Sequence, residues 1–230
     1  MGTFKRVHKT TMDTKIDLVS KLDAERRQIE RWRLRSVSPD TGKYGAYSEP
    51  LEPYLSPEAE WKMFAQVQRA LLETRVKFGQ AKPEHLKELD RAMEEFDPLN
   101  ASLIETDRDL KINHDQLAVL EELGNHLSEE VKALLHPGTT SYDIVDTSRA
   151  YLLREAWKQV IRPKAVEVIT ALCVASEEQE EVIQAGRTHL QKTSPVPISM
   201  TFALYAARMA ERTERCDQAF TTLKGKVSGM

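Results

Sequence analysis

Along most of the chain, apolar side chains recur every three or four positions, the period of an α-helix with one face turned toward a core. Alternating, β-branched runs bounded by turn signals are missing from the pattern, which therefore predicts an all-α fold. The most regular stretch is the last, where Ile198, Phe202, Tyr205, Met209, Cys216, Phe220 and Leu223 recur at spacings of three, four or seven. One helix from about Pro197 to Leu223 explains them. At 1.5 Å per residue it would be roughly 40 Å long, the scale of a bundle helix, and its apolar stripe requires partner helices.

The same period runs through the earlier segments. Ser56-Pro57-Glu58-Ala59-Glu60 reads as a helix start, with a capping hydroxyl, a proline at the first helical position and acids facing the free amides. Phe64, Val67, Leu71 and Phe78 share one face of that helix, and Gly79 is placed to end it. Pro83 to Phe96 forms a second, shorter amphipathic helix. Leu117, Leu120, Leu127, Val131 and Leu134 carry the period from about His114 to Leu135, until Pro137-Gly138 interrupts it. After the polar loop HPGTTSYD the chain is helical from Asp143 to about Ile161, and Pro163 opens a further helix that turns Ala165, Ile169 and Leu172 toward a core. Near the N-terminus, residues 14–35 suit a charged helix, and the Pro-, Gly- and Ser-containing SVSPDTGKYGAYSEPLEPY after it suits a loop or arm. No repeat of solenoid period is evident.

Composition narrows the class. With 230 residues, 40% apolar and 30% charged, the chain is long enough to bury a core. Its 33 Lys and Arg against 36 Asp and Glu argue against a nucleic-acid partner. No window of roughly 18 consecutive apolar residues is present, and MGTFKRVHKTTMD lacks an apolar signal core, so the expectation is a cytoplasmic protein with no membrane partner. Cys173 and Cys216 have no Cys/His neighbours at zinc spacing and read as reduced packing residues.

Three histidines, His114, His136 and His189, stand in polar, turn-rich surroundings rather than in the apolar stripes. The stretch from His136 through Thr139, Thr140 and Ser141 to Asp143 and Asp146 suits two roles alike: the cap of a helix, or a site where hydroxyls and free amides hold a carboxylate or phosphate. His189 lies in AGRTHLQKTSPVPISM, read as a turn between helices, among the hydrogen-bonding side chains of Arg187, Thr188, Gln191 and Lys192. No phosphate-binding loop, dinucleotide fingerprint, nucleophile elbow or metal-ligand spacing accompanies them.

Taken in order, AYSEP, NHDQLAVL, HPGTTSYDIVDTSRAYLLREA, AGRTHLQKTSPVPISMTFALYAARMAER and KGKVSGM resemble the fumarase/aspartase superfamily of lyases, most closely its adenylosuccinate lyases. The resemblance runs from about Tyr47 to Met230. Its most specific part is His-x-Gly-x-Thr-Ser-x-Asp followed about 50 residues later by Gly-Arg-Thr-His, and His114-Asp115 is similar to the His-Asp pair of adenylosuccinate lyases. It implies β-elimination of fumarate from a succinyl adduct, adenylosuccinate or the related purine-pathway succinyl-carboxamide nucleotide, without a cofactor or metal. It also implies a homotetramer around a central bundle, with active sites shared between subunits and a small-molecule nucleotide as substrate.

By the same resemblance His189 matches the general acid and His114 a histidine that orients and polarises the site, with Asp115 beside it. His136 matches an anion contact, Thr140 and Ser141 a pair that holds the fumaryl carboxylate, and Tyr47 a nucleotide-binding tyrosine, with Thr188 and Gln191 as further substrate contacts. Ala46, Asn113 and Lys192 depart from residues common in the family, an Arg, an Arg and a second His, which bears on phosphate recognition. The implied organisation is an N-terminal extension over 1–45, a helical lyase domain over 46–142 and an incomplete central bundle over 143–230. The family's loop with the catalytic serine lies beyond these residues. Two other functions fit the pattern: argininosuccinate lyase or another superfamily member, and a non-catalytic helical module that binds partners through the last helix.

Overall fold

The computed structural model describes residues 15–228. It divides into two compact units, one built from residues 15–36, 56–145 and 227–228, the other from 37–55 and 146–226. Both are helical, as the spacing predicts, and the described residues include one two-stranded sheet.

In the first unit, α1 (Ala24–Arg35), α4 (Pro57–Lys77), α5 (Pro83–Glu95), α6 (Pro98–Thr106), α7 (Asp115–Gly124) and α8 (Glu129–Lys132) surround one apolar core, joined by the first turns of α9 (Ser141–Ala156). Phe64, Leu72, Leu89, Ile104, Val119, Leu123 and Ile144 lie at its centre, each at most 3% exposed. The starts of these helices are written in the sequence. Asp23, Ser56, Asp97 and Ser128 each accept a hydrogen bond from a backbone N–H one turn or less into the helix that follows. Gly79 takes φ +70° just after α4, a left-handed turn that costs glycine nothing. Phe78 departs from the predicted stripe: it is the residue that ends α4, where the backbone leaves the helical path, and it is 78% exposed.

The predicted helix over His114–Leu135 is two helices, because the chain turns at residues 125–128. Asn125 at that turn helps to clip down the chain's N-terminal segment. Its Oδ1 accepts from the Ile16 N–H at 2.9 Å, while Asn100 Oδ1 accepts from the Leu18 N–H at 2.7 Å. Both amide nitrogens donate to the Ile16 carbonyl, at 3.0 and 2.6 Å, and both reach Glu122 Oε2. Glu122 is 2% exposed, and its Oε1 accepts from the Asp97 N–H at 3.2 Å. Burial pushes its carboxyl above the ordinary Glu value, against the opposing pull of its hydrogen bonds and of His126.

The folded chain therefore holds the Glu122 proton more tightly than the unfolded chain does, so this group's contribution to stability falls as pH rises from about 4.5 toward the raised folded value. Denaturant midpoints measured across that window should decline with pH. Glu122→Gln should remove this part of the slope and also cost about 1 to 3 kcal/mol, since a carboxylate oxygen that accepts N–H groups becomes a donor. An unchanged slope would refute the assignment.

In the second unit the supposed arm is largely helical: α2 (Thr41–Ser48), with a kink at Tyr44, a short 3₁₀ turn and then α3 (Glu52–Leu55). Pro50 and Pro53, which read as breakers, sit in first turns, where a missing N–H costs nothing. Pro163 stands in the first turn of α10 (Arg162–Glu178), as its place in the sequence predicts, but no loop precedes that helix. From α9 the chain passes through a π-helical turn at Trp157–Ile161 straight into α10, the widened turn easing the proline into a continuous path.

α11 (Ile198–Thr222) matches its predicted span and returns antiparallel to α10. Asp217 ties the pair together, accepting from Trp157 Nε1 at 2.8 Å and Arg162 Nε at 2.9 Å, and Trp157 stacks on Phe220 at 5.6 Å between centroids. Many apolar side chains of this unit remain exposed, among them Val168, Met200, Leu204 and Tyr205. Cys173 is exposed rather than packed, because no described residue covers it, whereas Cys216 is half-buried; both are free thiols. Among the described residues no helix is long and apolar enough to cross a membrane.

Between α10 and α11 the predicted turn is a β-hairpin, β1 (Ile183–Thr188) and β2 (Gln191–Pro197), antiparallel with a bulge between Ala185 and Arg187. Almost every residue in it is exposed. A hairpin that buries neither face has no reason to alternate apolar and polar residues, so the usual strand signature is missing. Gly186 is required at the bulge: a Cβ there would lie 2.7 Å from the Ser194 carbonyl oxygen.

Candidate active site

Within the first unit, the loop before α9 meets the start of α7. His136 (φ +68°) and Gly138 (φ +74°) are both left-handed and fold the loop tightly. The N–H and hydroxyl of Thr139 both donate to the His136 carbonyl, at 3.1 and 2.6 Å. The Thr140 N–H donates to Asp143 Oδ2 at 3.0 Å and the Asp143 N–H returns to the Thr140 carbonyl at 3.0 Å, a reciprocal cap at the first turn of α9. Asp143 is fully buried, and its Oδ1 accepts from both the N–H and the hydroxyl of Ser228, at 3.1 and 3.0 Å. Of the two roles open for this stretch, the capping one is thus realised, and Asp143 rather than a Thr or Ser hydroxyl performs it.

His114 is the residue before α7, and its Nδ1 accepts from the Leu117 N–H at 3.3 Å. With Nδ1 as acceptor the ring proton belongs on Nε2, which lies 2.9 Å from Ser141 Oγ and donates to it. Asp115 Oδ1 lies 3.4 Å from His114 Nδ1. Glu105 lies in the same electrostatic neighbourhood. Burial, and then repulsion from Asp115, push its carboxyl up, with His114 opposing.

His136 approaches from the other side of the loop. Its Nδ1 is 2.9 Å from the side-chain nitrogen of Gln68, a fully buried residue of α4. Burial and the neighbouring His114 hold the His136 pKa below the ordinary imidazole range, with Asp143 pulling the other way.

The structure therefore brings five of the sequence-selected residues, His114, Asp115, His136, Thr140 and Ser141, into one unit around the start of α9. The other four belong to the second unit. Tyr47 is on α2 and 85% exposed; Thr188 and Gln191 pair across the hairpin. His189 and Leu190 form the hairpin's two-residue loop, both with positive φ (47° and 63°), the conformation that matches a tight turn to the twist of its strands. His189 is exposed at the tip.

Gln68 and Ser228 are additions the motifs did not single out, and Asp143, a letter of the loop motif, proves to be the loop's buried anchor. Gln68 had a readable signal: it is a polar residue in the buried stripe of Trp61, Phe64, Ala65 and Leu72. Among the described residues no group of three or more His, Cys, Asp or Glu side chains is arranged to hold a metal ion.

The family described as Lyase matches residues 43–229, most of the chain. The adenylosuccinate lyase of Methanothermobacter thermautotrophicus is 33% identical over 163 residues, 70% of this chain and 35% of that protein. The adenylosuccinate lyase of Archaeoglobus fulgidus is 29% identical over 194 residues, 84% of this chain and 41% of that protein. This chain thus spans about two-fifths of the length of the curated relatives it matches. Among solved structures, the fumarate lyase from Mesorhizobium sp. BNC1 superposes with a TM-score of 0.69 at 22% identity, over 79% of this chain and 42% of that one. The β-carboxy-cis,cis-muconate cycloisomerase from Acinetobacter calcoaceticus superposes at 0.66 and 18% identity, over 79% of this chain and 43% of that one, and both likenesses speak for the fold. With the loop at His136 and the hairpin at His189 both inside the matched span, the chain belongs to the lyases of the fumarase/aspartase superfamily and is adenylosuccinate lyase-like.

Proposed function

We propose that this chain contributes to a lyase that eliminates fumarate from adenylosuccinate, leaving AMP, and from the related succinyl-carboxamide nucleotide of purine biosynthesis. The observation that carries the reading is the grouping of His114, Ser141, Thr140 and His136 at the start of a 16-residue helix. Free amides and hydroxyls at such a position suit a carboxylate or phosphate oxygen.

In the proposed reaction a base removes a proton from the succinyl Cβ, and the carbanion is held as an aci-carboxylate by donors around its carboxylate. The Cα–N bond then breaks, its electron pair passes to nitrogen, and His189 supplies the proton that nitrogen takes up. Thr140 and Ser141 hold the carboxylate. His114 orients Ser141 through the 2.9 Å hydrogen bond, with Asp115 beside it. His136 meets an anionic oxygen, Tyr47 the nucleotide, and Thr188 and Gln191 the substrate beside His189. The base comes from a segment outside these 230 residues.

Residues 46–142 and 143–230 are assigned to the family's helical domain and to part of its central bundle, with 1–45 an extension. The exposed apolar side chains of α10 and α11 suit burial in a homotetramer, in which the hairpin of one copy meets the helix start of another. The protein is assigned to the cytoplasm. The same exposed side chains also favour a second reading, a non-catalytic module that binds partners through α11.

The test follows fumarate release from adenylosuccinate by the purified chain, alone and reconstituted with the remaining portion of the Methanothermobacter relative. Argininosuccinate is run in parallel. Release from adenylosuccinate on reconstitution is expected; release from argininosuccinate alone overturns the substrate, and silence from every form overturns the enzyme in favour of the interaction module.

A further inference from the structure

We propose that Gln68 is a positioning residue: from the buried side of α4 it fixes the His136 ring in the tautomer that carries its proton on Nε2, so that His136 offers a ligand oxygen a neutral hydrogen-bond donor. Gln68 is fully buried in a stripe otherwise made of Trp61, Phe64, Ala65 and Leu72. An amide in such a place is unfavourable unless it is hydrogen-bonded, and an apolar residue of similar size would pack there without that cost. The contact recorded for its side chain is the one to His136 Nδ1, at 2.9 Å, and Gln68 Oε1 is buried without a hydrogen-bond partner.

The orientation of the amide decides the tautomer. With the nitrogen toward the ring, Nδ1 must accept, so the proton sits on Nε2. With the amide reversed, Oε1 would need a proton on Nδ1 and both amide N–H groups would lie buried and unpaired, the less tolerated fault. One orientation is therefore favoured by the burial of the amide itself.

α4 also grips the loop at a second point. Arg75, seven residues and two turns beyond Gln68 on the same face, donates to the Pro137 carbonyl. Ring and carbonyl are thus held from one helix while the His136 backbone is kept at φ +68°, a conformation side chains rarely adopt. The charged and titratable groups that act on the ring are His114 before α7 and Asp143 on α9, while Arg75 on α4 meets the neighbouring Pro137 carbonyl. Burial and His114 favour the neutral ring and Asp143 opposes them.

What the Nε2 donor meets rests on the lyase reading of this loop; the tautomer does not, and the experiment separates the two. In the 230-residue chain labelled with ¹⁵N-histidine, long-range ¹H–¹⁵N spectra near neutral pH should show His136 with a bare Nδ1 and a protonated Nε2. Gln68→Leu should let the two tautomers mix. Gln68→Glu should move the proton to Nδ1 and raise the titration midpoint, because a carboxylate accepts and attracts charge. In the reconstituted enzyme, Gln68→Leu should raise KM about tenfold with much less effect on kcat, since it disturbs binding rather than proton transfer.

A wild-type His136 protonated at Nδ1 overturns the proposal without any variant. So does a folded Gln68→Leu chain whose His136 tautomer and titration match wild type. Fumarate release with the wrong tautomer would leave the lyase standing and remove Gln68's role; the right tautomer without fumarate release would do the reverse.

Discussion

Replacing His189 by alanine is expected to lower fumarate release in the reconstituted enzyme by about 100- to 10,000-fold, the usual worth of a positioned general acid. The loss should fall on kcat more than on KM, because the proton is needed when the Cα–N bond breaks and not when substrate binds. His189→Gln, which keeps a hydrogen-bond donor and loses the transferable proton, should be nearly as slow. Stability should stay within about 0.5 kcal/mol, since the side chain is exposed at the tip of the hairpin and supports no packing. The two-residue loop holds the imidazole on a short, defined arm: Thr188 pairs with Gln191 immediately behind it, and Gly186 allows the bulge that bends the strand. A reconstituted His189→Ala enzyme with wild-type kcat would take the acid role away from this residue.

How much of this was legible in the sequence depends on what each element buries. α4 and α11 were readable because each turns a continuous apolar stripe in one direction, and Ser56 and Gly79 mark the two ends of α4 with residues whose local chemistry allows little else. The hairpin was not readable, because β1 and β2 leave almost every residue exposed and so carry no alternation of apolar and polar side chains. Pro163 marked the start of α10, but nothing in the sequence announces the π-helical turn that joins α9 to it without a loop. The break after α7 was hidden by leucines that keep the helical period across residues 125–128, whereas Asn125 is there for the polar clip on Ile16. At the site, His114, His136 and Ser141 were found as motif letters. Their mutual geometry was not, since it depends on contacts between α4, the start of α7 and the loop that opens α9, which join residues up to 68 positions apart in the chain.

Asp143 is expected to show the largest stability effect among the residues of this loop, with Asp143→Ala costing on the order of 3 kcal/mol in chemical denaturation. The estimate follows from what the buried carboxylate accepts: the Thr140 N–H on Oδ2, and the Ser228 N–H and hydroxyl on Oδ1. Removing it strips the cap from α9, takes the partner from the half-buried Thr140 N–H and empties a fully buried position, while the exposed Ser228 can turn to water. Asp143→Asn should lose less, because one side of the group still accepts while the new amide nitrogen opposes a donor on the other. Ser228→Ala should cost about 1 kcal/mol, and the double variant should fall short of the sum, since both single changes break the same contact. The change also reaches His136. Asp143 favours the charged ring there, so its removal should push the His136 midpoint further below the imidazole range, and the loss of stability that accompanies protonation of the unfolded chain should extend to lower pH. An Asp143→Ala chain within about 1 kcal/mol of wild type, additive with Ser228→Ala, would mean that the loop is ordered from α4 alone, through Gln68 and Arg75.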